Sequence, residues 1–322
     1  MTTRFISEFG LNMVLNGFVV LQDEQIEHMN ELLPQLFAGQ NPNFHIYIIG
    51  SRPRISINPR NFKVTEKVIE IEFIVHNNGE RLAVPVRLAQ HPERPVTDLE
   101  TSWPHNYFRF LSGKDEVLEA KAALFASTLT PGIRELQPYT NLDVLYVGQA
   151  YGDAGEREAK DRLQSHSTLQ KILGETSRLQ PDREVWLVML NFDELLVASF
   201  DGTLATAPGA LEADEGRLER MLSSSISEQQ KINFTEAALI RYFEPRFNEV
   251  FRKSFPSPAH KTYAECYALD LNMVSVEMDT TDMRFWFYSA CRPASWLHIA
   301  KFPLHDPKER RYMFDLLHGK PS

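Results

Sequence analysis

Between Glu66 and Ala89 the chain reads EKVIEIEFIVHNNGERLAVPVRLA, two runs heavy in Val and Ile separated by Asn-Gly. Asn-Gly supplies the positive φ angles that a tight two-residue turn needs, and the flanking residues suit a pleated surface. A helix cannot carry this pattern, so the segment predicts an antiparallel hairpin and a strand-rich first part of the molecule. HIYIIGSRPRISI, just upstream, adds one or two shorter strands. DEQIEHMNELLPQLF, with Asp23 near its N-cap, and KDEVLEAKAALFAS read as helices.

Three compositional segments follow. Residues 1–130 form a strand-rich α+β accessory module, residues 131–260 a small α/β module, and residues 261–322 a short C-terminal α+β module. The expected class is therefore α+β and multidomain. TLTPGIRELQPYTN, with two prolines and a glycine, reads as the first connection. In the central segment LDVLYVGQA is a strand, EREAKDRLQSHSTLQKIL a helix, and EVWLVMLNF a central strand, apolar almost throughout. LEADEGRLERMLSSS and TEAALIRYF are helices, the second ended by Pro245. The last segment offers strands at YALDLNMVSVEM and FWFYSAC and a helix at DPKERRYMFDLLHG.

Composition narrows the function classes. With 322 residues, 43% of them hydrophobic, the chain can bury a substantial core. A net charge of −9 argues against a broad basic surface for unselective phosphate-driven binding, while leaving room for a narrow groove or a metal-bridged phosphate. Cys266 and Cys291 are too few for a disulfide framework. The N-terminal apolar run is interrupted by Glu8 and Asn12 and lacks a basic region and a cleavage site, so the expected location is the cytoplasm. The histidines lack metal-ligand spacing, and no Ser or Cys sits in a nucleophile elbow. SRPRISINPRNFK places Arg52, Arg54, Arg60 and Lys63 near Phe62, a pattern compatible with a nucleic-acid contact, although a solvated strand edge is its more common meaning.

The informative constellation is LYVG on a strand, a loop containing Gly152 and Gly155, RLQSH on a helix, and then TEAALIRYFEPRFN. In this order the elements resemble the GIY-YIG nucleases. That family follows a Tyr-Ile-Gly strand with an arginine-bearing helix, then a glutamate helix closed by a proline turn and an asparagine. The resemblance covers roughly residues 140–250. It implies metal-dependent hydrolysis of nucleic-acid phosphodiesters, DNA ahead of RNA, with Mg²⁺ or Mn²⁺ on Glu236. By the same resemblance Arg162 holds the phosphate, Tyr146 positions the nucleophile and Asn248 braces the site.

The chemistry of these residue types agrees. A carboxylate suits a hard cation that keeps several waters. An arginine forks two phosphate oxygens, and a tyrosine hydroxyl beside a cation can position or deprotonate water. His166 lies four residues after Arg162, on the same helix face, where it either faces a phosphate or packs on the sheet. One departure stands out. The family's Gly-Ile-Tyr motif, about a dozen residues before the second tyrosine strand, has no counterpart at that spacing, because the position falls on Arg134. Either Tyr139 substitutes in an altered loop, or the first tyrosine is absent. The alternative function is accordingly a module that binds nucleic acid or a nucleotide without cutting. The flanking segments would then select a target or a protein partner.

Overall fold

The computed structural model describes residues 5–26, 28, 31, 35–37, 44–149, 167–200, 210–306, 308, 310, 312 and 313, with 23, 24 and 210–213 described by their backbone. The protein is mixed α+β and strand-rich. Its strands are β1 (Ser7–Leu21), β2 (Ile46–Ile57), β3 (Lys63–Val64), β4 (Val68–Asn77), β5 (Glu80–Ala89), β6 (Asp98–Thr101), β7 (Tyr107–Ser112), β8 (Asp115–Lys121), β9 (Leu142–Gln149), β10 (Arg183–Phe200), β11 (Met273–Asp279), β12 (Phe287–Ser289), β13 (Arg292–Ser295) and β14 (Leu297–Pro303). The longer helices are α1 (Ala122–Leu129), α2 (Ser167–Leu179), α3 (Ala210–Ser223) and α4 (Glu228–Phe243).

One large sheet runs in the order β13-β12-β9-β2-β10-β1-β11-β14. Along β9, β2, β10 and β1 each strand is antiparallel to the next, whereas β1–β11 and β12–β9 are parallel pairs. Strands from all three sequence segments therefore interleave in a single sheet, and the expected boundaries near residues 130 and 260 fall between its elements. Strands β6, β7 and β8 make a separate antiparallel sheet.

Strand β2 is the hinge of the architecture. Its first half pairs with β9 and β10, while Arg54–Ile57 pair with β4. The β4–β5 hairpin forms as its sequence predicts, with Asn78 (φ 53°) and Gly79 (φ 83°) at the turn. The Gly79 N–H donates to the Asp182 carboxylate, which ties this turn to the start of β10.

Several elements differ from the sequence expectation. KDEVLEAKAALFAS is not one helix. Gly113 (φ 62°) turns the chain so that Asp115–Lys121 pairs with β7, and only Ala122–Leu129 is helical. Pairing with a neighbouring strand outweighs helix propensity there. The strand read from EVWLVMLNF continues to Phe200 because β1 pairs along its whole length. YALDLNMVSVEM begins as a helical turn at Ala264–Ala268 and becomes a strand only at Met273, while FWFYSAC contributes only three strand residues. In the connection Thr128–Asn141, two short helical turns occupy Arg134–Leu136 and Gln137–Thr140. The first half of the EREAKDRLQSHSTLQKIL helix and most of the C-terminal one lie outside the described residues. Among the described residues, no helix is long and apolar enough to cross a membrane.

Alternation along the strands divides the core into two faces. Ile46, Ile48, Val144, Val147, Trp186 and Val188 join the larger cluster, to which α1 and α4 contribute. Tyr47, Ile49, Leu145, Leu187 and Met189 join a smaller one with Leu169 and Ile172 of α2. Arg52 is buried on the larger face, stacked over Trp186 at 4.1 Å and paired with Glu184 at 3.4 Å. Burial pulls its pKa down to about 10, and Glu184 works against that fall.

Candidate functional site

The LYVG strand, β9, has as its antiparallel partner the IYIIG stretch of β2. In this register Tyr47 lies opposite Gly148 and Ile49 opposite Tyr146. The register shifts between Ile49 and Gly50, so Leu145 is an extra residue on β9. This bulge breaks the alternation: Leu145 and Tyr146 both belong to the smaller cluster, while Val144 and Val147 face the larger one. Its consequence is to bring Tyr146 to the same face as Tyr47. Their ring centroids lie 6.1 Å apart at 35°.

Gly148 is the third member of this arrangement. A Cβ there would sit 2.5 Å from Tyr47 Cζ, 2.6 Å from Tyr47 Oη and 2.7 Å from Tyr146 Cε1. The glycine of LYVG is thus required by the close approach of two tyrosines rather than by its own φ angle. Tyr47 is 1% exposed, enclosed by Phe44, Leu169 and Ile172, whereas Tyr146 is half-buried.

Asn248 holds the outer edge of β9. Its Oδ1 accepts from the Val147 N–H at 2.9 Å, and its Nδ2 donates to the Val147 carbonyl at 2.8 Å. The Phe247 N–H donates to the Leu145 carbonyl at 3.1 Å. Residues 247 and 248 therefore satisfy backbone groups on either side of Tyr146 that no strand reaches. The chain arrives there because α4 ends at Glu244, whose left-handed backbone (φ 46°) closes the helix before Pro245. Arg246 then pairs with Glu175 of α2 at 3.5 Å and stacks on Phe247 at 4.6 Å.

Glu236 lies in the middle of α4, half-buried, on a helix that packs against β9. The buried residues of α4 join the larger cluster, on the other face from Tyr47 and Tyr146, so the structure does not bring the carboxylate together with the tyrosine pair. Tyr139 occupies the helical turn before β9 and packs against the larger cluster, not the face that carries Tyr47 and Tyr146. Arg162, His166, Gly152 and Gly155 lie outside the described residues. Among the described residues no group of three or more His, Cys, Asp or Glu side chains gathers into a metal-binding set. Glu236 is a lone carboxylate, the donor type that a hard cation such as Mg²⁺ takes while retaining water.

Two titratable groups near these strands are displaced from their usual ranges. Burial raises the Asp143 carboxyl, opposed by Arg183 and Arg246. Burial lowers His45, which precedes β2, and Glu228 at the start of α4 opposes it.

The residue that the structure adds beside Tyr146 is Tyr47. Its signal, Ile-Tyr on a strand, was legible in HIYIIG. Its partnership with Tyr146 was not, because residues 58–141 separate the two strands. No protein-family model matches this chain, and neither a curated protein nor a solved structure is found similar to it, so a functional reading rests on these residues alone.

Proposed function

We propose that the protein is a metal-dependent phosphodiesterase of the GIY-YIG type acting on nucleic acid, DNA ahead of RNA, with Tyr47 rather than Tyr139 as the first tyrosine. The observation that carries this reading is the Tyr47–Tyr146 pair over Gly148 on adjacent antiparallel strands. In the family the two motif strands form a hairpin. Here the equivalent pairing is made across an insertion, residues 58–141, which accounts for the absence of a tyrosine at hairpin spacing.

The roles follow from chemistry. A tyrosine hydroxyl orients or deprotonates the attacking water. Asn248 fixes the backbone on which Tyr146 is mounted, so it acts as a positioning residue. Glu236 offers a hard oxygen ligand, and Mg²⁺ or Mn²⁺ bound there would supply Lewis-acid stabilisation of phosphate charge. Arg162 supplies a guanidinium fork for the non-bridging oxygens, with His166 beside it; both roles come from the resemblance alone.

The burial of Tyr47, at 1% exposed, favours a second reading in which the strand pairing persists and the module binds nucleic acid without cutting it. Incubation of the purified protein with supercoiled plasmid and Mn²⁺ separates the two. The enzyme reading predicts nicking that falls at least about a hundredfold in Glu236→Ala, the scale of losing an electrostatic stabiliser of the transition state. Equal nicking by both proteins sinks the assignment of Glu236, and no nicking by either favours the binding module.

A further inference from the structure

The basic stretch SRPRISINPRNFK divides sharply in the structure. Arg52 is buried and paired with Glu184, and Phe62 packs on Phe110. Arg54 and Arg60, together with Arg81 from β5, instead line a cavity of about 490 Å³ with His76, His105 and Trp103. Arg54 and Pro104 also line a second cavity of about 440 Å³, which reaches Arg183 and the end of α2, so the two cavities adjoin and together outline a groove.

Three features set this groove apart. First, among the described residues Arg54, Arg60 and Arg81 have no side-chain hydrogen bond or ion pair. The nearby carboxylates are engaged elsewhere: Glu72 accepts from Asn58 and Asn61, Asp182 accepts from the Gly79 N–H, and Glu184 is held by Arg52 and Trp186. Second, the positive potential is concentrated. His76 is held below its usual pKa by burial and by the Arg81 and Arg54 charges, against the opposing pull of Asp182. Third, Trp103, 81% exposed, stands at the groove's rim, where His105 lies edge-on against it at 6.2 Å. In a protein of net charge −9, unpaired guanidiniums beside a free aromatic face match the requirements of a phosphate backbone with an unstacked base.

We propose that this groove binds a single strand of nucleic acid, with phosphates on Arg54, Arg60 and Arg81 and a base stacked on Trp103. A duplex hides its base faces and cannot use the indole. A lone nucleotide would fill only one of the two joined cavities. The site lies seven residues along β2 from Tyr47, about 23 Å at the rise of an extended strand, so it is separate from the paired tyrosines. Binding here requires no hydrolysis and does not depend on the cleavage reading.

The test is fluorescence anisotropy of a labelled oligodeoxythymidine strand on the full chain, in chelator so that cleavage plays no part. The proposal expects Trp103→Ala and the double variant Arg60→Gln/Arg81→Gln each to weaken binding about tenfold or more. It also expects the double variant to show a shallower salt dependence. Both changes are at exposed positions, and unchanged thermal midpoints would establish that folding is intact. Wild-type affinity in the groove variants, equal affinity for blunt duplex, or full competition by a mononucleotide at matched concentration would each overturn it.

Discussion

Gly148 is the position where one atom matters most. An alanine there would press its Cβ into the rings of Tyr47 and Tyr146, and Tyr47, almost fully enclosed, has little room to retreat. Gly148→Ala is expected to cost about 1–3 kcal/mol, the range for overpacking a filled core, measured as a lowered urea midpoint at unchanged slope. A second residue-scale expectation concerns His298, buried among Tyr242, Phe243 and Phe287. Desolvation lowers its pKa from 6.5 to about 4. The native state therefore resists protonation that the unfolded chain accepts. This contribution is complete above pH 6.5 and is lost as pH falls toward 4, amounting to about 3 kcal/mol by linkage. Denaturation curves across that window should show His298→Leu losing less stability on acidification than the parent. Parallel losses would place the acid sensitivity elsewhere.

At the scale of elements, β9 depends on a loop as much as on its neighbouring strand. Asn248→Ala removes both partners of the Val147 peptide and leaves a buried N–H and C=O unmatched. Each unmatched group costs about 1–3 kcal/mol, and the Val147 amide should exchange with solvent far faster than its neighbours on β2. Unchanged exchange at Val147 would mean that another group supports the edge. The elements also divide by how legible they were. The β4–β5 hairpin, β9, the core of β10 and the body of α4 could be read because turn chemistry and apolar patterning are local. KDEVLEAK could not, since its charges and leucine fit a helix equally well and only its pairing with β7 decides the matter. The bulge at Leu145 has no sequence signature, yet it decides which face Tyr146 occupies.

At the scale of the whole molecule, the proposed site is only half-visible in the sequence. Motif order points to Tyr146, Glu236 and Asn248, and hairpin spacing offers Tyr139 or no first tyrosine. The chain instead places the β4–β5 hairpin, the small β6–β8 sheet and α1 between the two strands that carry Tyr47 and Tyr146. That insertion also lines most of the cavity around Arg60 and Arg81, while Tyr47 and Arg54 sit toward opposite ends of β2. Segments that look like successive modules in composition are woven into one sheet, because long-range pairing carries no local imprint.

The most direct test of the central claim compares two tyrosine-to-phenylalanine changes in the plasmid-nicking assay with Mn²⁺. Each removes one hydroxyl and leaves the ring packing in place. The pairing of β2 with β9 predicts that Tyr47→Phe abolishes nicking while Tyr139→Phe nicks as the parent does. Loss of activity in Tyr139→Phe with Tyr47→Phe fully active would contradict the account.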